Sequence, residues 1–105
     1  VILTEKEKML AGELYNAGDE ELKETGPGLY ANHNCVILDV NTVTIGDNVM
    51  FGPAVQVYTA THPLDVETRN SGLEMGYPIE IGDNVWVGGG AIINPGIKIG
   101  NNVVI

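Results

Sequence analysis

From Ile45 onward, the chain repeats with a period of six residues. Every sixth position carries an aliphatic or aromatic side chain, and the phase holds through two blocks: Ile45, Phe51 and Val57, then Ile81, Val87, Ile93, Ile99 and Ile105. Four positions after most of these residues the chain has a small or aliphatic residue, and one position after it often has glycine. A six-residue period does not fit an α-helix, and the many β-branched, Gly and Pro residues also disfavour one.

This period predicts a parallel β-helix in which each hexapeptide supplies one short strand and one corner. Side chains alternate across a strand, so each repeating residue and the residue two before it should point inward and stack on the next coil. We expect the glycine that follows to permit the corner conformation, which Asn-rich steps such as Asp83-Asn84 also tolerate. An ordinary β-sandwich with coincidental spacing is the alternative.

Two segments depart from the repeat. Residues 1–24 form an N-terminal segment in which Thr4 to Glu7 offers a capping box and apolar residues recur at helical spacing, which predicts a short α-helix over residues 5–16. Residues 25–105 form the predicted β-helix. Within it, residues 63–78 break the phase and are bounded by Pro63 and Pro78, so we expect a loop that protrudes from the coil.

Length and charge narrow the classes of function. The chain has 105 residues, enough for one small domain, and five Lys and Arg against fourteen Asp and Glu give a net charge of −9. That balance disfavours nucleic acid as a partner. With no long apolar run and no signal-peptide pattern, we expect no membrane association and a cytoplasmic protein. The single cysteine, Cys35, allows no internal disulfide and is interpreted as a small buried hydrophobe.

Two residues stand at positions that the alternation turns outward. His62 precedes a proline, which restricts its backbone to extended conformations, and an imidazole can take a proton from an alcohol near neutral pH. A plain surface histidine is the alternative. Trp86 is too large an apolar group to leave bare, so it indicates a contact with ligand, loop or neighbouring subunit, a simple interface role included. His33 is interpreted as structural.

Five stretches of the chain together carry a resemblance to a known family. They are residues 4–15 (TEKEKMLAGELY), 58–63 (YTATHP), 69–72 (RNSG), 81–89 (IGDNVWVGG) and 93–96 (INPG). In these motifs the chain resembles the maltose and galactoside O-acetyltransferases, a branch of the hexapeptide-repeat acyltransferases.

The resemblance implies a mainly β protein with a left-handed parallel β-helix, an exception to the usual right-handed crossover. It implies a homotrimer with active sites between neighbouring chains. The implied activity is transfer of an acetyl group from acetyl-coenzyme A, as co-substrate, to a hydroxyl of maltose, glucose or a related sugar, without a metal. By the same resemblance His62 is the general base, Asn32 binds a sugar hydroxyl, and Met75 and Trp86 line the acceptor site. It identifies no residue that binds coenzyme A.

Other functions remain open at this point. Family members have more residues between the N-terminal helix and the Tyr30-Ala31-Asn32 strand, and Lys98 is the only cation after the loop. A noncatalytic trimeric β-helix module, or an inactive truncated family member, is therefore the alternative. A zinc carbonic anhydrase on the same coil would need three histidine ligands. Because the chain has two histidines, this function is disfavoured.

Overall fold

The computed structural model describes residues 28–105, so the predicted helix over residues 5–16 lies outside the described residues. Eleven short strands and one helix make up this part of the chain. In chain order they are β1 (Leu29–Ala31), β2 (Val36–Leu38), β3 (Val43–Ile45), β4 (Val49–Phe51), β5 (Gln56–Tyr58), β6 (Ala60–Thr61), α1 (Val66–Asn70), β7 (Met75–Gly76), β8 (Ile79–Ile81), β9 (Trp86–Val87), β10 (Ile92–Ile93) and β11 (Lys98–Ile99).

The strands form three parallel sheets that are the faces of a three-sided prism. The first sheet has the order β1-β4-β9, the second β2-β5-β10, and the third β3-β8-β11. Outside β6 and β7, successive strands visit the three sheets in rotation, and in the regular part of the coil stacked residues are 18 positions apart. This architecture confirms the predicted parallel β-helix and excludes the sandwich, whose neighbouring strands would be largely antiparallel.

The core is a column of side chains inside the prism. Val57, Val87 and Ile93 are 0%, 0% and 3% exposed, so the positions at the six-residue period do point inward. The buried column contains Val49, Phe51, Val55, Val57, Ile79, Ile81, Val85, Val87, Ile93 and Ile99. Ile97 and Ile105 are exposed, although the period predicts them inward, because they lie in the last described coil.

The corner between the third and first sheets corrects our expectation about glycine. Asn48, Asn84 and Asn102 adopt the left-handed conformation there, with φ of 55°, 57° and 60°. Their side-chain amides form a ladder in which Asn84 Nδ2 donates to Asn102 Oδ1 at 3.0 Å. Gly82 does not have a positive φ; a Cβ on it would lie 2.9 Å from the backbone nitrogen of Asn101 in the next coil. Glycine is therefore needed at this position because adjacent coils approach closely, and asparagine supplies the turn.

The first coil has a different spacing and overlaps the first hexapeptide block only at Ile45, in β3. Leu29, Val36 and Val43 begin its strands at seven-residue intervals, so a six-residue pattern cannot detect it. Its strands nevertheless pair in register with the second coil, for example Leu29 with Val49. Cys35 is half-buried, not buried as expected, and its Sγ donates to the carbonyl of Gly52 at 3.3 Å.

An excursion interrupts the second coil where the loop was predicted. The chain leaves the prism after Thr59 and returns at Ile79, and we call the intervening residues 60–78 the arm. The arm begins three residues earlier than the predicted loop and contains an antiparallel hairpin, in which Thr61 of β6 pairs with Met75 of β7. The helix α1 lies between these strands. Within residues 28–105 no helix has the length and apolar character needed to cross a bilayer.

Candidate active site

His62 lies on the arm, directly after β6. Its side chain is exposed, as the outward assignment predicted, but the reason differs: the chain has already left the coil, so coil alternation no longer applies. Within residues 28–105 its imidazole makes no hydrogen bond to another described residue. No residue of the described part of the chain therefore occupies either ring nitrogen, which suits a general base.

Thr59 fixes the point at which the arm leaves the prism. It is the only buried polar residue among those described, with 0% exposure. Its Oγ1 donates to the carbonyl of Leu38 at 2.6 Å and accepts from the backbone N–H of Asn41 at 3.0 Å. Its own carbonyl accepts from the N–H of Tyr77 at 2.9 Å. A buried hydroxyl with all these partners holds the start of β6 in one position.

Asn41 secures the returning strand of the arm. Its side-chain Nδ2 donates to the carbonyl of Gly76 at 3.0 Å, while its backbone N–H binds Thr59. Both strands of the hairpin are thus tied to the first coil. Sequence reasoning missed Asn41 because it lies in a seven-residue step, and it took Thr59 only as part of the YTATHP motif.

Met75 lies on the hairpin whose first strand leads into His62. It pairs with Thr61, the residue before His62, and is 37% exposed. The hydroxyl of Tyr77 donates to its Sδ at 3.3 Å, which restricts the thioether. The arm therefore carries both an imidazole and an apolar, polarisable side chain.

Polar contacts among the described residues hold the far end of the arm. Asp65 caps α1 by accepting from the N–H of Thr68 at 2.9 Å and from its hydroxyl at 2.8 Å. These bonds, the backbone one foremost, hold the pKa of the Asp65 carboxyl below its ordinary value of 3.8. Arg69 Nη1 donates to the carbonyls of Pro63 and Leu64, each at 3.1 Å. The guanidinium thus contacts the two residues that follow His62.

Asn32 and Trp86 lie elsewhere on the prism. Asn32 follows β1 at the corner between the first and second sheets, and its Oδ1 accepts from the N–H of His33 at 2.7 Å, while its Nδ2 has no hydrogen-bond partner among residues 28–105. Trp86 projects from the outer face of the first sheet and is 51% exposed, as predicted. The arm with His62 leaves between the second and third sheets, so one chain does not bring these three residues together.

Comparison with known proteins gives the following matches. Residues 78–105 match the family described as bacterial transferase hexapeptide (six repeats). Nodulation protein L of Rhizobium meliloti is 42% identical over 147 aligned residues, covering 90% of this chain and 80% of the relative. Galactoside O-acetyltransferase of Escherichia coli is 49% identical over 80 residues, 76% of this chain, so the chain spans only 39% of that relative's length.

Solved structures give the same family. A maltose O-acetyltransferase from Clostridium difficile superposes with a TM-score of 0.73 at 40% identity, covering 97% of this chain and 83% of that one. The chain belongs to the hexapeptide-repeat acyltransferases. A Vibrio cholerae hexapeptide-repeat acetyltransferase complexed with acetyl-coenzyme A has a TM-score of 0.51 at 26% identity, with 97% and 84% of the two chains covered. The predicted family and enzyme class are confirmed, and so is the left-handed parallel β-helix.

The alignment with the Rhizobium relative also shows a difference from this hexapeptide-repeat chain. It extends over 147 positions while covering 90% of 105 residues, so the relative has a stretch that this chain lacks. The alignment with the Escherichia coli relative has 80 positions and covers 76% of this chain, so nearly every aligned position holds a residue of this chain. The repeat region is retained without large gaps in that comparison.

Positive charge is scarce in the described part of this hexapeptide-repeat chain. Arg69 and Lys98 are the only Lys or Arg within residues 28–105, and Lys98 Nζ lies 3.7 Å from Glu80 Oε2 on the surface. A cluster of cations that could bind the phosphates of a nucleotide is absent from these residues. The sequence did not identify such residues either.

Proposed function

We propose that the protein transfers the acetyl group of acetyl-coenzyme A to a hydroxyl of maltose, glucose or a related sugar, with His62 as general base. The observation that carries this proposal is the position of His62, exposed on an arm whose base is tied to a rigid prism through Thr59 and Asn41. Family membership supports the acetyl transfer, since relatives act on maltose or galactosides and one was solved with acetyl-coenzyme A.

In the proposed reaction the imidazole of His62 takes the proton of a sugar hydroxyl. The sugar oxygen then attacks the thioester carbonyl carbon, the C–S bond breaks, and the sulfur leaves with a proton returned by the imidazolium. The products are the acetylated sugar and the free thiol of coenzyme A. General-base help of this kind contributes roughly 10²–10⁴ in rate, and the positioning of the two substrates contributes much of the rest.

The proposal includes a homotrimer with each site between two copies. The outer faces of the prism support this assembly because they differ in polarity. The first and second sheets expose apolar side chains, whereas the third exposes Thr44, Glu80 and Lys98. A contact of one copy's first-sheet face with the next copy's second-sheet face is heterologous and can close as a ring.

Such a ring would also assemble the site. Asn32 and Trp86 lie toward one interface of a chain, and the arm with His62 and Met75 lies toward the other. Residues that one chain keeps apart would then meet across the boundary between copies. In this arrangement Asn32 binds a sugar hydroxyl through Nδ2, and Trp86 and Met75 form apolar walls of the acceptor site.

The test is release of free thiol from acetyl-coenzyme A with maltose, glucose or a β-galactoside as acceptor. His62→Ala should lower kcat roughly 10²–10⁴-fold. His33→Ala is the matched control, since His33 is the chain's other histidine and is also exposed, and it should retain activity. Equal activity of wild type and His62→Ala would remove His62 from the mechanism. A stable oligomer that releases no thiol would instead favour the noncatalytic module.

A further inference from the structure

The helix α1 cannot be explained by packing. Its five residues, Val66–Asn70, include none that is buried, and helices this short are not stable in water by themselves. What holds it are the Asp65 cap at one end and, at the other, Ser71, whose N–H donates to the carbonyl of Glu67 at 3.0 Å. Since packing among the described residues does not account for α1, its polar side chains are the candidates for its role.

Arg69 carries one of these side chains. It stands in the last turn of α1, and its side chain reaches back along the arm so that Nη1 donates to the carbonyls of both Pro63 and Leu64 at 3.1 Å. These two residues directly follow His62. Hydrogen bonds from a charged donor are stronger than neutral ones, and one nitrogen that bridges two adjacent carbonyls fixes the direction of the backbone between them.

We infer that Arg69 is a positioning residue for His62, an inference that rests on the proposed function. The prism secures both strands of the hairpin, through Thr59 ahead of His62 and through Asn41 at Gly76. Among the described residues it makes no such hydrogen bond to the segment between His62 and Met75, where Arg69 and its helix supply a further attachment. The imidazole makes no hydrogen bond to another residue of the described chain. Its orientation therefore depends on the backbone before and after His62. A displacement of about 1 Å at a reacting group can cost on the order of 100-fold in rate.

A positioning role and a direct contact with substrate differ in their kinetics. Nη1 donates to two carbonyls of its own chain, while Nε and Nη2 carry the other three N–H donors of the guanidinium, so the kinetic constants decide between the two roles. In a positioning role, loss of Arg69 should lower kcat and leave KM for acetyl-coenzyme A and for the sugar nearly unchanged. A phosphate-binding role would instead raise KM for acetyl-coenzyme A.

The experiment compares Arg69→Met, Arg69→Lys and the control Lys98→Met, which removes the other described cation from the third sheet. We expect Arg69→Met to lower kcat about 10- to 100-fold, Arg69→Lys to recover part of it, and Lys98→Met to match wild type. Because Arg69 acts through His62, adding Arg69→Met to His62→Ala should lower activity no further. Full additivity, or a wild-type kcat for Arg69→Met, would overturn the inference.

A measurement without activity separates this inference from the proposed function. Amide hydrogen exchange of residues 64–71 should accelerate in Arg69→Met, while exchange in the three sheets stays as in wild type. If wild type releases no thiol with any acceptor, the proposed function fails and the exchange result still decides whether Arg69 holds the arm. If His62→Ala abolishes activity and Arg69→Met changes neither kcat nor exchange, only the role of Arg69 is wrong.

Discussion

Met50 and Trp86 lie directly opposite each other in neighbouring parallel strands, and each side chain is 51% exposed on the outer face of the first sheet. Tyr30 pairs with Met50 on one side, and Val104 bridges to Trp86 on the other. The four residues form an apolar stripe across the coils of the described chain. Directly paired apolar side chains stabilise one another, yet they leave a continuous surface for another molecule.

The stripe predicts how a single charge should affect assembly. Met50→Lys puts an ammonium group in the middle of the proposed interface. Burying this unpaired charge costs several kcal/mol of association free energy, which is enough to favour the monomer. We expect its mass in sedimentation or light scattering to fall to that of one chain. Thr44→Lys adds the same charge on the polar third sheet and should leave the mass unchanged. Equal masses for Met50→Lys and wild type would contradict an interface at this stripe.

The close approach of coils at Gly82 predicts a costly substitution. In Gly82→Ala the new Cβ would lie 2.9 Å from two backbone atoms of the next coil, which must move apart. Such overpacking costs about 1–3 kcal/mol in the free energy of unfolding. Gly100 has the same place in its hexapeptide, but a Cβ added there would meet no atom within 4 Å, so Gly100→Ala should cost less than about 0.5 kcal/mol.

Urea unfolding at one fixed protein concentration would measure both glycine variants, because assembly makes stability depend on concentration. The comparison separates close approach from backbone conformation, since neither glycine has a positive φ. Equal losses of stability for Gly82→Ala and Gly100→Ala would contradict the packing explanation.

The buried hydroxyl of Thr59 predicts a difference between two conservative substitutions. Thr59→Val keeps the shape but removes the donor to Leu38 and the acceptor for Asn41, leaving the partly buried N–H of Asn41 without its partner. This should lower the free energy of unfolding by about 1–3 kcal/mol. Thr59→Ser keeps the hydroxyl and should lose less. If thermal unfolding found Thr59→Val as stable as Thr59→Ser, the hydroxyl would not be what holds the arm.

The pKa of Asp65 predicts how the arm responds to acid. Since hydrogen bonds from Thr68 lower this pKa in the folded protein, the stabilisation of the α1 cap is fully present above about pH 4 and is lost as the pH falls through the lower, folded value. The Thr68 amide resonance should therefore titrate with a midpoint below 3.8. In Asp65→Asn, where the cap remains but cannot ionise, that titration should disappear. A wild-type midpoint at or above 3.8 would contradict the assignment.

The sequence predicted the parts of the fold that depend on period alone. The inward column at Phe51, Val57 and Val87 follows from a six-residue repeat, and the exposure of Trp86 follows from alternation. Residues 25–105 were assigned to the β-helix, but the six-residue period did not locate the strands of the first coil, because they begin at seven-residue intervals. Pairing through space, as between Leu29 and Val49, reveals them.

The site was predicted less completely than the fold. His62 and Met75 were expected in one site and share a hairpin, but its two-residue strands are too short to give a readable alternation. The contacts that hold this hairpin, from Asn41 and Arg69, bridge 35 and five or six residues respectively and follow no repeat. In the proposed trimer, the distance between Asn32 of one copy and His62 of the next is set by the contact between copies, and no pattern within one sequence encodes that distance.

Thr44 and Glu80 stack as neighbours although the whole arm intervenes between them in the chain. The third sheet keeps its strand register on both sides of the arm, so a corner of the prism accepts a long insertion while the buried column of side chains stays in place. The segment that carries the reactive groups can then be exchanged, lengthened or redesigned while the prism is unchanged. For engineering, this makes residues 60–78 the natural unit to graft between proteins built on the same coil.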